Sequence, residues 1–415
     1  MDGTHIPRSL QSALICTTRL TTLCLENNTR FSRCHGPLFD EELAPLLRNN
    51  PGLTRIHIRG FHFSGICFEE CRNTSLIKSL RIVSCRCISP YFFNNFIRQT
   101  VNLEEFLMSG CIGESRLSRN ALDGLIRNGS DLRRVFLDNG ENSFDKHQIT
   151  QLLIRKRSLN EIHISDYNLT RENINNLPKI RKLSLNNVAF NSSDYFNLRR
   201  RFINITSLRL CSVSVNDVVL NVFKFIQGLN TLFLRDCNFD IVSETEEEII
   251  NLECLLIESC TGVNAIFVRD IVKCRKLLKL SFHENYGVSM LGFFRALRSM
   301  TSLTLLSTSD VIDIEENDAI PLYINDETVA LLEIVENSTG LKNLDVFNLN
   351  CIPHEFPVFL ENLMITQNRK IDLFTDINPN DFQQNISNVR FFNSTNNKNN
   401  FDHFRDRCFH YKEGS

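Results

Sequence analysis

The stretch LECLLIESCTGVNAIFVRDIVKCRKLLKLSF, residues 252–282, contains one complete structural unit and the start of the next. In its first nine residues, Leu255 and Ile257 alternate with residues of mixed character, which is typical of a β-strand with one buried face. The segment AIFVRDIVKC follows Asn264 and has apolar residues at helical spacing after a capping residue. The strand pattern then returns as LLKLSF, which begins at Leu277. The stretch therefore predicts a strand, a turn, a helix and a second turn.

The same nine-residue phrase recurs along the whole chain. It has apolar residues at positions one, four and six, and Asn, Cys or a substitute at position nine. It begins at Leu20, Leu53, Ile77, Leu103, Leu132, Leu159, Ile180, Ile205, Leu229, Leu252, Leu277, Met300, Leu341, Leu360 and Ile386. Most of these fifteen starts are 21 to 29 residues apart, a spacing that is typical of structural repeats. A single copy is a weak signal, but fifteen copies in near-constant register indicate a repeat protein.

The register and length of the phrase resemble those of the leucine-rich-repeat family. The resemblance implies an α/β solenoid of about 15 repeats, a right-handed horseshoe with a parallel β-sheet on the concave side and helices on the convex side. One strand cannot bury its fourth and sixth residues alone, whereas stacked copies form a continuous core. We expect the solenoid over residues 20–394, with residues 1–19 as an N-terminal cap or truncated end and residues 395–415 as a C-terminal tail.

One interval between phrases, from Met300 to Leu341, is longer than the others. Its excess, near residues 307–325, is acidic. This excess is predicted to leave the solenoid as a loop. Long insertions in repeat folds are often functional, although structural slack explains it equally well.

The helices of the repeats are predicted from capping residues that precede apolar periodic segments. These capping residues are Asp40, Ser89, Asn216, Asn264, Ser289 and Asp326. Pro90 directly after Ser89 suits the first helical position.

The ninth position of the phrase narrows the family. Asn28, Asn285 and Asn368 can hydrogen-bond the backbone of the turn there. Cys85, Cys111, Cys237 and Cys260 occupy the same slot, where a small buried thiol fits. The slot is filled by Tyr167, Val188, Val213 or Thr308 in other units. Units with Cys at this slot resemble the repeats of F-box/leucine-rich-repeat proteins.

That resemblance implies substrate recognition for a cullin-RING ubiquitin ligase, in which an N-terminal F-box docks the Skp adaptor. Only the segment from Met1 to Arg19 precedes the first repeat here, and it shows no F-box-like pattern. Ubiquitin-ligase subunits are therefore expected as partners through the resemblance alone. The alternatives are a leucine-rich-repeat regulator of a GTPase and an immune-type ligand sensor.

The composition is that of a folded chain without strong charge. Apolar residues make up 42% and charged residues 23%, and the formal net charge is −2. No nucleic-acid partner is expected from that balance. The segment from Met1 to Leu25 has no continuous apolar stretch of the length that a secretory signal needs, so none is expected there. No apolar run approaches the length of about 18 residues that a spanning helix needs, so no membrane association is expected. The 15 cysteines are then predicted to be reduced, in the cytoplasm or nucleus.

The partner-binding residues are predicted at positions three, five and seven of the phrases, which point away from the core. The candidates are Arg55, His57, Arg59, Arg81, Arg134, Phe136, His163, Lys182, Arg209, Phe233, Arg235 and Lys279. Arginine and aromatic side chains dominate interface hot spots. Phe136 and Phe233 are expected to be exposed at these positions, where a bound partner would cover their rings. We expect a protein partner with an acidic or phosphorylated segment and an apolar anchor, although mixed polar residues also simply solvate an open sheet.

Catalytic and cofactor-binding patterns are absent from the sequence. No phosphate-binding loop, dinucleotide fingerprint, HExxH motif or paired CxxC spacing occurs. His403, Cys408 and His410 cluster near the C-terminus without a fourth ligand. We therefore predict no metal, no cofactor and no enzymatic activity.

Overall fold

The protein is described by a computed structural model, which divides into two compact units, Met1–Ala189 and Phe190–Ser415. The described residues are 18–26, 40–113, 122–128, 131–137, 146–165, 177–187, 200, 202–243, 251–309, 325–346, 352–353, 355–375 and 387–393. In both units, parallel strands alternate along the chain with helices and turns.

The described part of the first unit contains seven parallel strands, one for each of its phrases. They are β1 (Thr22–Glu26), β2 (Arg55–Arg59), β3 (Ser79–Val83), β5 (Glu105–Ser109), β7 (Arg134–Leu137), β8 (Glu161–Ser165) and β9 (Lys182–Asn186). Two short strands, β4 (Arg86–Ile88) and β6 (Ile112–Gly113), pair with each other. The described helices are α1 (Asp40–Asn49), α2 (Pro90–Gln99), α3 (Asp123–Arg127) and α4 (Lys146–Arg155), with 3₁₀ turns at Ile66–Glu70 and Thr74–Leu76.

The described part of the second unit contains eight strands in one parallel sheet. They are β10 (Ser207–Cys211), β12 (Thr231–Arg235), β14 (Cys254–Glu258), β15 (Lys279–His283), β16 (Leu305–Ser309), β17 (Asn343–Val346), β18 (Ile371–Thr375) and β19 (Val389–Asn393). Strands β11 (Ser214–Asn216) and β13 (Asn238–Asp240) form a separate pair. The described helices are α5 (Asp217–Phe225), α6 (Ala265–Val272), α7 (Met290–Leu297), α8 (Asp326–Asn337) and α9 (Phe356–Thr366), and Phe202–Asn204 is a 3₁₀ turn.

The core of each unit lies between its sheet and its helices. In most phrases the fourth and sixth residues point inward, as predicted: Leu23, Leu208 and Leu232 are all 3% exposed or less. Helix side chains meet them from the other side, as where Phe293 of α7 stacks on Phe282 of β15 with ring centroids 4.0 Å apart. The sheet and the helices together bury apolar side chains that neither could bury alone. This arrangement confirms the leucine-rich-repeat α/β fold in each unit.

The predicted helix starts agree with the structure to within one residue. Ser89, Asn216, Asn264 and Ser289 are N-caps, and the side chains of the last three accept the expected backbone hydrogen bonds. The cap of α8 is Asn325, not Asp326, because the Asn325 side chain accepts from the backbone N–H of Thr328 at 2.9 Å. Asp40 is likewise the first helical residue rather than the cap. At α8 the one-residue shift arises because Asn325 and Asp326 are adjacent, and an Asn amide oxygen is as good an N-cap acceptor as an Asp carboxylate.

Two phrases are out of register with the prediction. Strand β16 begins at Leu305, and Leu306 and Thr308 occupy the inward positions, three residues after those expected for a phrase starting at Met300. Thr308 is thus an inward strand residue and not a turn residue. The phrase at Leu360 is wrong, since LENLMIT belongs to helix α9 and the strand follows it at Ile371–Thr375. Leucines spaced by three and two fit a helix face as well as a strand, and periodicity alone cannot separate them.

Eight of the strands end in a turn whose eighth-position residue has a left-handed backbone. Ser84, Asn187, Ser212, Asp236, Ser259 and Glu284 all have φ near +50°, and Gly60 and Gly110 occupy the same position. The ninth residue then points back inward. The Cys85 thiol lies 3.3 Å from the carbonyl of Val83 and 3.6 Å from that of Ile58 in the preceding repeat.

The ninth-position residues link consecutive repeats in both units. The thiols of Cys111 and Cys237 approach the carbonyls of Ile82 and Leu210 in the same way, at 3.4 and 3.5 Å. Asn285 replaces the thiol with an amide that accepts from the backbone N–H of Cys260 and donates to the carbonyl of Ile257. The hydrogen-bonding residue predicted at this slot is therefore confirmed for Cys85, Cys111, Cys237 and Asn285. Asn368, predicted for the same slot, instead follows the C-terminus of α9 with a φ of 49°, because the phrase at Leu360 is helical.

Charged side chains also connect neighbouring helices. In the second unit, the ammonium of Lys224 in α5 lies 2.9 Å from a carboxylate oxygen of Asp270 in α6, and both side chains are buried. Glu361 of α9 accepts backbone hydrogen bonds from Ser387, Asn388 and Val389, which ties β19 to the helix. Although burial alone would raise the pKa of Glu361, these hydrogen bonds lower it below its usual value.

Some predicted segments fall outside this description. Ser307–Ser309, the first residues of the expected acidic insertion, belong to β16. Residues 310–324, the terminal segments 1–17 and 394–415, and Asn28 lie outside the described residues. Among the helices that are described, none combines the length and the apolarity needed to cross a bilayer.

Candidate interaction surface

The open face of each sheet, defined as the side of the strands that points away from the helices, carries all twelve predicted binding residues. Parallel pairing aligns the third, fifth and seventh residues of neighbouring phrases in rows that cross the strands. In the first unit the row of third residues is Thr22, Arg55, Ser79, Glu105, Arg134, Glu161 and Lys182. The row of fifth residues is Cys24, His57, Arg81, Leu107, Phe136, His163 and Ser184.

Glu105 is the acceptor at the centre of the first unit's open face. Its carboxylate takes a 2.6 Å contact from the guanidinium of Arg81, a 3.3 Å contact from Arg134 and a 2.8 Å hydrogen bond from the Ser79 hydroxyl. Glu105 is only 3% exposed, so three donors compensate its buried charge. Two of the predicted partner-binding arginines are therefore already engaged within the protein.

Glu105 was missed by the sequence analysis. The phrase LEEFLMSGC places it at the third position, where it points to the open face, yet only cationic and aromatic residues were selected there. Because Ser79 and Arg134 precede and follow it in the same row, the repeat register alone would have placed the carboxylate between them.

His57 lies at the start of the open face, between two residues of β1. Its Nδ1 is 3.5 Å from the Cys24 thiol and 3.7 Å from a carboxylate oxygen of Glu26. Burial lowers the pKa of His57, and the charges of Arg81 and Arg59 act in the same direction, whereas Glu26 and Glu105 oppose it. Burial and the carboxylate of Glu26 raise the pKa of the Cys24 thiol.

Two stacked rings on β7 and β8, Phe136 and His163, form what we call the aromatic shelf of the first unit's open face. The rings of Phe136 and His163 stack with centroids 5.9 Å apart at 24°, and both side chains are half-buried. Nδ1 of His163 lies 2.6 Å from the hydroxyl of Ser184 on β9, which holds the ring in place. This shelf offers a half-exposed aromatic surface, whereas the apolar Val83 and Leu107 of the same face are buried.

The remaining cations of the first unit differ in their partners. The ammonium of Lys182 reaches Glu161 only at 4.0 Å. Arg55 is exposed and Arg59 half-buried, and neither forms an ion pair with any described residue. The described residues of this open face carry an excess of two positive charges. They include five cations (Arg55, Arg59, Arg81, Arg134 and Lys182) and three carboxylates (Glu26, Glu105 and Glu161).

In the second unit, the predicted residues pack against one another. Phe233 is 6% exposed and lies between Cys211 and Leu256, and the Arg209 guanidinium covers its ring at 4.4 Å from the centroid. Arg209 is itself only 8% exposed, and its Nε also donates to the Cys211 sulfur. The expectation that the Phe233 side chain is exposed is therefore wrong. The Arg209 guanidinium covers its ring, and Cys211 and Leu256 pack beside it.

Arg235 and Lys279 are the half-buried cations of the second unit's open face. The guanidinium of Arg235 lies 3.4 Å from Asp236 and 3.9 Å from Glu258, so its charge is balanced within the unit. Lys279 forms no ion pair with any described residue.

A buried polar network on the second unit's open face was also missed. Its members are His283, Ser307, Ser309 and Asp345, from strands β15, β16 and β17. The two ring nitrogens of His283 meet the hydroxyls of Ser309 and Ser307 at 2.8 Å each, and Ser307 donates to Asp345 at 2.9 Å. The Ser307 hydroxyl therefore lies between the imidazole of His283 and the carboxylate of Asp345. The register error at Met300 concealed this set from sequence reasoning.

Comparisons with known proteins add three structural neighbours. The chain is similar to TLR13 in its complex with single-stranded RNA (14% identity, TM-score 0.45), covering 83% of this chain and 58% of that one. It is similar to an internalin, InlF, of Listeria monocytogenes (12% identity, TM-score 0.38, covering 85% and 84%). It is also similar to Rad7 in the yeast complex of Rad7 and Elc1 (17% identity, TM-score 0.40, covering 82% and 79%).

The chain thus spans less than two thirds of the length of the TLR13 chain. The sequence matches no protein-family model, and no curated protein matches it. The assignment of the fold therefore depends on the strand register and burial within each unit, and these give the chain a leucine-rich-repeat architecture.

Proposed function

We propose that the chain is a protein-interaction scaffold and that the open face of its first unit binds an extended protein segment with an acidic or phosphorylated residue and an apolar anchor. The observation that carries the proposal is the pair Arg55 and Arg59. Both project from β2 on the open face without a carboxylate partner among the described residues. Guanidinium groups in such a position bind carboxylate or phosphate with charge-assisted hydrogen bonds.

The spacing of the two features defines the segment. The shelf of Phe136 and His163 begins on β7, which is the third strand after β2 in the first unit's sheet. At about 4.8 Å per strand, the arginines and the shelf are roughly 14 Å apart. An extended peptide covers that distance in about four residues. A segment running across the strands with its acid about four residues from an aromatic or aliphatic anchor therefore suits both features.

A peptide series tests this pairing. The probes are fluorescein-labelled peptides with phosphoserine four residues from Phe, and matched peptides in which Ser replaces phosphoserine or Ala replaces Phe. Fluorescence anisotropy should detect binding of the complete probe by the full chain. We expect Arg55→Glu with Arg59→Glu to weaken it at least about tenfold, since two charge-assisted contacts become repulsive.

The matched control is Arg72→Glu with Arg98→Glu. These exposed arginines lie outside the strands of the sheet, and the change in net charge is identical. Equal affinity of the two double variants, or equal affinity for all three peptides, would contradict docking on this face.

A finer proposal concerns the class of scaffold. The cysteine-containing ninth positions resemble F-box/leucine-rich-repeat proteins, and the buried thiols of Cys85, Cys111, Cys237 and Cys260 at that slot support the resemblance. We propose a substrate-recognition role beside a ubiquitin ligase in the cytoplasm or nucleus. Purification of the tagged full chain from cells should then recover Skp and cullin subunits. Recovery of a GTPase without them would contradict this role and favour a GTPase regulator.

A further inference from the structure

The geometry points to a metal site on the first unit's open face, distinct from the proposed docking function. We propose that Cys24, Glu26 and His57 bind a zinc-type divalent ion through the thiolate, one carboxylate oxygen and Nδ1. The sequence alone predicts no metal here, because His57 comes 33 residues after Cys24 and no spacing motif connects them. The strand register joins them, since Cys24 pairs directly with His57 across β1 and β2.

The three donor atoms are spaced like one face of a coordination tetrahedron. The sulfur lies 3.5 Å from Nδ1 and 3.6 Å from the Glu26 oxygen, and Nδ1 lies 3.7 Å from that oxygen. Zinc bonds of about 2.3 Å to sulfur and about 2.0 to 2.1 Å to nitrogen and oxygen, at tetrahedral angles, give S···N and S···O separations of roughly 3.5 Å and an N···O separation of roughly 3.4 Å. Small side-chain rotations would therefore bring all three atoms onto one ion.

Hydrogen bonds among Cys24, Glu26 and His57 satisfy these three side chains less completely than a shared metal ion would. A thiol has one proton, so Cys24 can donate to His57 or to Glu26 but not to both at once. A metal ion lets the sulfur, the nitrogen and the oxygen act together as electron-pair donors. The thiolate and the carboxylate would also balance the two positive charges of the ion.

The donor set selects the class of ion. Sulfur and imidazole ligands favour zinc and similar transition-metal ions over magnesium or calcium, which prefer oxygen. Cys24 and Glu26 are exposed, so solvent reaches the group. With three protein ligands, a tetrahedral ion keeps its fourth position for water or for a group of a bound partner.

Two neighbours limit the affinity. Arg59 and Arg81 lie close enough to act electrostatically on His57, although Arg81 is held by Glu105. Nε2 of His57 has no hydrogen-bond partner among the described residues, whereas strongly bound zinc usually has a second-shell acceptor there. We therefore expect an exchangeable ion rather than one required for folding.

Cobalt substitution tests the site directly. Co²⁺ is titrated into the reduced full chain, and binding is followed by the thiolate-to-cobalt charge-transfer band and by the intense visible bands of tetrahedral cobalt. The wild-type protein should show both bands, and Zn²⁺ should abolish them by displacement. Cys24→Ser and His57→Ala should each remove the charge-transfer band or weaken binding at least about tenfold.

The control variant is Cys254→Ser, which removes a half-buried open-face cysteine of the second unit. It should titrate like the wild type, and circular dichroism should show all variants folded. Zn²⁺ should also protect Cys24, but not Cys254, from alkylation as mapped by mass spectrometry. Bands that persist in Cys24→Ser, a wild-type protein without bands, or equal alkylation of Cys24 with and without Zn²⁺ would overturn the proposal.

Discussion

The open faces of the two units use the same strand positions in opposite ways. In the first unit, Arg55 and Arg59 project from β2 without a described carboxylate partner, and the Phe136 ring is half-exposed. In the second unit, Arg209 covers Phe233, and both are buried. Arginine and phenylalanine side chains at open-face positions can thus either remain accessible to a partner or pack against each other and become buried. Neighbouring strands decide which, since Cys211 and Leu256 enclose Phe233 from either side.

The largest expected effect compares the two phenylalanines. Phe233→Ala should lower the free energy of unfolding by about 3 kcal/mol, because it leaves a cavity beneath Arg209. Phe136→Ala should cost roughly 1 kcal/mol, since the half-exposed ring loses less buried area. Urea denaturation followed by circular dichroism measures both. Equal losses of unfolding free energy would mean that Phe233 is no better packed in the second unit than Phe136 is in the first.

The second comparison concerns a buried and a half-buried carboxylate within the first unit, Glu105 and Glu161. Glu105→Ala should destabilise the protein by about 2 kcal/mol, because Arg81 and Arg134 lose the acceptor that holds them together. Glu161→Ala, which removes only a long 4.0 Å contact with Lys182, should cost less than about 1 kcal/mol. The same denaturation measurement applies. If Glu105→Ala cost no more than Glu161→Ala, Glu105 would not organise this face.

Arginine truncation separates binding from stability. Arg209→Ala should lower the free energy of unfolding by about 1 to 2 kcal/mol, since its packing on Phe233 and its contact with Cys211 are lost. Arg55→Ala should change it by less than about 0.5 kcal/mol. Charge reversal at Arg209 would therefore disturb the fold as well as any partner. A stable Arg209→Ala variant would return Arg209 to the set of available binding residues.

The smallest effect should be the same in both units. Ser84 and Ser212 have φ of 51° and 52° at the eighth position, and both are exposed. Ser84→Gly and Ser212→Gly should each raise the free energy of unfolding by about 0.5 kcal/mol, because glycine adopts the left-handed conformation without strain. Thermal denaturation detects the shift. Destabilisation by either change would show that the turns of the two units are not equivalent.

The fold was largely predictable from the sequence because the repeat amplifies a weak local signal. Leu255 and Ile257 alone could lie on a helix, but they share their register with the inward residues of most other phrases. The prediction was wrong at Leu360, where leucine spacing suited a helix equally well, and shifted at Met300, where LTLL offers two registers.

The candidate surface was less predictable, for a physical reason. The sequence shows which face a strand residue takes, but whether its charge is available depends on the side chains of the adjacent strands. The carboxylate that engages Arg81 lies 24 residues away, and the ring beneath Arg209 lies on the next strand. These partners become apparent only when the rows across the strands are compared, and the selection of cationic and aromatic residues alone left Glu105 out.

The buried thiols at the strand ends have a consequence for refolding. Eight of the ten cysteines whose side chains the structure describes are buried, and each is shielded while its repeat remains intact. Unfolding in air would expose them together, and oxidation would then cross-link positions that are far apart in the native chain. Recovery after heating should therefore depend on a reducing agent, even though no disulfide joins the described cysteines in the native fold.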